Sequence, residues 1–129
     1  MFLTELNQTE KEKFLALAYK VANADASYND QEIAMFRQIK KETGVEIIKA
    51  GESLEDLIAY FAGTSAHVQK VVLLEICGII LSDEIVADKE TDVIGKMTAA
   101  FSISAAEADK CQEAAKAVAA AYAAAKAAI

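Results

Sequence analysis

A chain of 129 residues with no proline and only 5 glycines has few places to turn sharply. Strand-rich domains need many tight turns, and tight turns draw on those two residues. Their scarcity, with abundant Ala, Glu, Lys and Leu, predicts an all-α fold. The length is one domain's worth of core, so residues 1–129 read as a single helical domain. Hydrophobic content of 54% against 26% charged is enough to drive folding rather than disorder.

The helix boundaries are written in cap chemistry. Asn7 followed by Glu10 has capping-box spacing and opens a first helix carrying Phe14, Leu15, Ala18, Val21 and Ala22. That helix is expected to stop near Asp25. Asn29 and Glu32 mark a second start, and Ile33, Phe36 and Ile39 continue it to a natural stop at Gly44. A short helix is expected from Val45 to Lys49. Ser53 with Asp56 caps the next, striped by Leu54, Leu57, Ile58 and Phe61. After Gly63, Thr64 or Ser65 caps a further helix. Its run Val71 to Leu81 is apolar on nearly every side, where a surface helix would show one polar face. It is therefore expected at the centre, surrounded by the others. A helix from about Asp88 to Phe101 follows. Ser104 with Glu107 then caps an Ala-rich helix over 105–128, expected to be well formed but weakly anchored because alanine buries little area.

An internal repeat with an offset of 58 residues runs through this pattern. Val21-Ala22-Asn23-Ala24-Asp25 aligns with Ile79-Ile80-Leu81-Ser82-Asp83. Asp30 aligns with Asp88 and Glu32 with Glu90, while Phe36, Ile39 and Val45 align with Ile94, Met97 and Ile103. Polar identities fall between helices and apolar equivalence falls on them. A duplicated helix–acidic loop–helix unit has this signature, with halves of about 7–49 and 65–107. Two such units would bury their apolar faces together in pseudo-twofold symmetry around a buried central helix.

Charge is distributed unevenly. Asp25 to Glu32 holds three acids and no base; Asp83 to Asp92 holds five acids and Lys89. These two segments, −3 and −4, equal the whole formal charge of −7, and the rest of the chain is balanced. Such a balance opposes binding to nucleic acid or anionic lipid and suits cations or a protein partner with a basic surface. Clustered carboxylates repel, and a hard cation offsets that repulsion. Asp25, Asp30 and Glu32, with Asp83, Asp88 and Glu90, are thus candidate metal ligands for Ca2+ or Mg2+, which take oxygen donors. The same residues have a structural reading. Carboxylates at helix N-termini are favoured by capping and by the helix dipole, without any metal.

Neither segment is a standard EF-hand loop. Counting from Asn23, the sixth residue is Tyr28 rather than Gly and the twelfth is Ala34 rather than Glu. The second segment puts Ile85 and Ala87 at ligand positions.

With these residues in view, the chain resembles the TerB-like family, associated with tellurite resistance and related stress operons. That family has an Asp-Gly step ending one helix and a Glu seven positions after the Asp, opening the next. Asp25 to Glu32 and Asp83 to Glu90 keep the spacing twice, with Ala26 and Glu84 where the family carries Gly. The resemblance extends over about residues 12–107. It implies an all-α pseudo-symmetric fold and an acidic, metal-associated surface.

No catalytic constellation is visible. His67 is the sole histidine, near a helix start, where an exposed or capping role is expected. No nucleophile–His–acid spacing, phosphate loop or dinucleotide fingerprint occurs. Cys77 reads as a small core residue, and neither it nor Cys111 belongs to a CxxC pair, so no zinc site is expected. Tyr19, Tyr28, Tyr60 and Tyr122 read as core-edge aromatics. No basic segment followed by an apolar stretch opens the chain, and Val71 to Leu81 is too short to span a bilayer, so a cytoplasmic location is expected. Lys110, Lys116 and Lys126 lack a strong opposing apolar face, so the last helix is not expected to lie on a membrane. Two functions fit: a non-enzymatic, cation-responsive accessory protein, or a metal-free helical interaction module with an acidic docking surface.

Overall fold

A computed structural model describes residues 2–22, 30–45, 51–81 and 88–129, with side chains for 2–21, 36–45, 51–80 and 92–129. The described residues are all-helical, with no strand. Among the described residues, a 3-10 turn, Leu3–Glu5, precedes six α-helices: α1 Gln8–Ala22, α2 Asp30–Thr43, α3 Leu54–Ala62, α4 Ala66–Leu81, α5 Asp88–Ala100 and α6 Ala105–Ala127. The short helix expected over Val45 to Lys49 falls mostly outside the described residues, and Val45 itself is not helical.

The caps form where the residue types call for them. At α1 the box is reciprocal: Asn7 Oδ1 accepts from the Glu10 N–H at 2.8 Å, and Glu10 Oε1 accepts from the Asn7 N–H at 2.8 Å. Each bond satisfies a donor that the first turn leaves unpaired. Ser53 accepts from Asp56 N–H at 3.1 Å, Ser65 from Val68 N–H at 3.2 Å and Ser104 from Glu107 N–H at 3.2 Å. The C-terminus of α3 is closed from outside the helix. The buried Gln69 amide donates to the carbonyls of Phe61, Ala62 and Thr64 at 3.1–3.2 Å.

Both α2 and α5 end on a left-handed residue. Gly44 has φ +72° and its N–H reaches the Lys40 carbonyl at 2.9 Å. Ser102 has φ 53°; the Ile103 N–H reaches back to the Thr98 carbonyl at 3.0 Å and the Ser102 N–H to Ala99 at 3.3 Å, a Schellman closure. Val45 and Phe101 beside these turns are buried, so each stop also pins the chain to the core.

The centre belongs to α4. It packs against α1, α3, α5, the 3-10 turn and, most extensively, α6. Val71, Val72, Leu73, Ile76, Cys77, Ile79 and Ile80 are all buried on it, which accounts for an apolar run without a polar face. Around it the core is filled by Leu3, Phe14, Leu15, Leu17, Leu57, Phe61 and Met97, each fully enclosed. Polar links tie the periphery. Lys13 of α1 pairs with Glu52 and lies over the Tyr60 ring. Lys96 of α5 reaches Glu55 of α3 at 3.3 Å. The backbone at the start of α3, with Lys96 beside it, holds the Glu55 carboxyl below its ordinary pKa.

The last helix is anchored along half its length. Ala108 and Ala115 are buried and Cys111 is half-buried, but every residue from 119 to 129 is exposed. Tyr122 is 69% exposed and so is not a core-edge aromatic: α6 has by then run past the residues that could cover it. Tyr60 keeps that role, edge-on to Phe61, and Tyr19 lies edge-on to Phe36 while 38% exposed.

Candidate functional site

Each acidic segment follows one helix and leads into another. The first lies between α1, which ends at Ala22, and α2, which opens at Asp30; the second lies between α4, which ends at Leu81, and α5, which opens at Asp88. Of the six candidate ligands, Asp25 and Asp83 lie outside the described residues. Asp30 and Glu32 belong to the first turn of α2, and Asp88 and Glu90 to the first turn of α5; their side chains also lie outside the described set. Among the described residues, no three His, Cys, Asp or Glu side chains group closely enough to hold a metal ion. No described helix is long and apolar enough to cross a membrane.

Among the described residues, a shallow groove of about 300 Å³ lies between the N-terminal turn, α4 and α6. Its walls are apolar, with Phe2, Val71, Leu74, Cys111 and Ala114, and its polar lining residues are Glu5, His67, Lys70 and Lys110. Three polar contacts hold these walls. The Phe2 N–H donates to Glu75 Oε1 at 2.7 Å, tying the N-terminal turn to α4. His67 Nε2 lies 3.0 Å from Glu5 Oε1, and Lys70 Nζ lies 4.0 Å from Glu107 Oε2. His67 is thus an exposed tether between chain segments.

Both thiols are perturbed by the packing of α4 on α6. Burial, with Cys111 nearby, pushes the Cys77 thiol up to about 12 from an ordinary 9.0. Burial also raises Cys111, with Lys70 opposing the effect and Glu107 reinforcing it. Both thiols therefore stay protonated near neutrality, the opposite of a nucleophile's setting. Lys70 beside Glu107 and Cys77 near Cys111 advance in the same sense along both helices, so α4 and α6 run in parallel.

Sequence reasoning singled out the acidic segments and missed this groove. Its lining comes from positions 2 to 114, and no local pattern joins them. No protein-family model matches this chain, no curated protein matches it, and no solved structure matches it.

Proposed function

We propose that this chain is a non-enzymatic, TerB-like accessory protein built from a duplicated helix–acidic segment–helix unit, whose two acidic segments bind divalent cations. One observation carries the reading: helix boundaries recur at the spacing of the sequence repeat. Gln8 and Ala66 open α1 and α4, 58 positions apart, and Asp30 and Asp88 open α2 and α5 at the same interval. The cap residues Asn7 and Ser65 keep it, as do the two left-handed residues, Gly44 and Ser102. Corresponding boundaries, caps and stops support a duplication, and a duplication makes the two acidic segments equivalent. Carboxylate-rich segments that recur in this way, and hold the chain's entire charge excess, suit a hard oxygen-seeking ion.

Titration of the metal-free protein with Ca2+ or Mg2+ tests this. A ligand that binds only the native state adds about 2.7 kcal/mol at a hundredfold excess over its Kd. A rise in melting temperature is expected, reduced in Asp25→Asn or Asp83→Asn and absent in the double variant. An unchanged melting temperature and unchanged amide signals around both segments at saturating metal would sink the cation reading. Salt-sensitive binding of a basic protein would then identify the acidic surface as a metal-free docking face.

A further inference from the structure

We propose that the N-terminal turn is a latch on α2: it clamps that helix to the core through α4, and when it lets go α2 opens as a unit while α5 stays shut. The latch stands on packing and does not depend on the reading given to the acidic segments.

The turn is fixed to α4 by burial and by two polar contacts. It packs on α4, with Leu3 fully buried and Leu6 nearly so. On either side of Leu3, the Phe2 N–H donates to Glu75 Oε1 at 2.7 Å, and Glu5 Oε1 lies 3.0 Å from His67 Nε2. Phe2 meets the later residue and Glu5 the earlier one, so the turn runs antiparallel to α4. Glu75 and His67 stand two helical turns apart, about 12 Å along the axis. The turn is thus held at both ends.

The same turn packs on α2. Among the described residues, α2 otherwise rests chiefly on α1, where Phe36 lies edge-on to Tyr19. The helix that opens 58 positions later is backed differently. α5 packs on both α4 and α3, and its Lys96 reaches Glu55 of α3 at 3.3 Å. What supports α5 on its second side is a helix of 9 residues; what supports α2 there is a turn of 3. Local opening draws on the elements that give up least contact, and the short turn gives up far less than the helix. Asp30 and Glu32 lie in the first turn of α2, so the latch also governs the helix that carries two of the proposed cation ligands. That last consequence alone rests on the cation reading.

Native-state hydrogen exchange of the full chain, without added metal, tests the latch, with the slowest α4 amides as the reference for global unfolding. In Leu3→Ala, exchange over Phe36–Thr43 of α2 is expected to rise about tenfold or more relative to α4, as loss of a buried leucine side chain does. The amides of α5 should keep their ratio to α4. Glu75→Ala changes a half-buried surface residue and leaves the core intact; loss of its bond to Phe2 should accelerate α2 about two- to tenfold by the same measure. If Leu3→Ala does not fold, the α2 ratio in Glu75→Ala decides. Equal acceleration of α2 and α5, or an α2 ratio unchanged in Leu3→Ala and Glu75→Ala alike, would overturn the latch. A Ca2+ titration of the same samples that moves nothing would count against the cation reading and leave the latch standing.

Discussion

Single residues end the second and fifth helices by the same device, at different energetic cost. Gly44 enters the left-handed region freely, and a Cβ there would meet no atom within 4 Å. Gly44→Ala therefore loses only conformational energy, about 1 kcal/mol. Ser102 already bears that strain, so Ser102→Gly should stabilise by about 0.5 kcal/mol, the relief being partly offset by a looser unfolded chain. Chemical denaturation of the pair would show midpoints moving in opposite directions with unchanged slopes. Cys77 supplies a pH signature. Its thiol titrates at about 12 in the folded state, raised by burial from 9.0, so folding favours the protonated form. The associated stability is complete below about pH 9 and is lost as pH rises toward 12. Wild type should lose stability across that window more steeply than Cys77→Ala, although the variant starts lower because it leaves a small cavity. Parallel alkaline limbs would show that the thiol does not contribute.

At the scale of elements, three of the cap signals written in the sequence form in the fold. Asn7 with Glu10, Ser53 with Asp56 and Ser104 with Glu107 each cap a helix, because a cap involves residues three apart and little else. Glu107 departs from the full box through a distant residue: its carboxylate faces Lys70 across the α4–α6 seam. The groove was illegible for the same reason, being assembled from Phe2, Leu74 and Cys111 by tertiary packing alone. The acidic segments could be located by composition, but convergence of their oxygens depends on residues outside those described. The weak anchoring expected of α6 holds for only half of it. Its first half lies against the most buried helix, whereas residues 119–129 are exposed throughout. Deleting residues 119–129 should therefore change stability by less than about 1 kcal/mol and leave hydrogen exchange in α4 unaltered. A large loss would mean that the exposed end of α6 has a partner in solution.

For the whole molecule, the question is whether the N-terminal and C-terminal halves fold as one unit. Leu15 on α1 and Leu73 on α4 stand 58 positions apart, and both are fully buried. The two helices also pack directly on each other, within one continuous apolar cluster that takes in α3 and α5. Neither half can lose its leucine without leaving a void at a surface that both share. Leu15→Ala and Leu73→Ala should each cost about 2–5 kcal/mol, a large part of the 5–15 kcal/mol that holds such a domain together. Each variant should still unfold in a single transition, reported identically by helical signal and by exposure of Cys77. If the halves were instead independent, Leu15→Ala would unfold α1 and α2 first and leave Cys77 protected to a higher denaturant concentration. Two separated transitions in that variant would therefore exclude a shared core, whereas coincident ones require α4 to be held by both halves together.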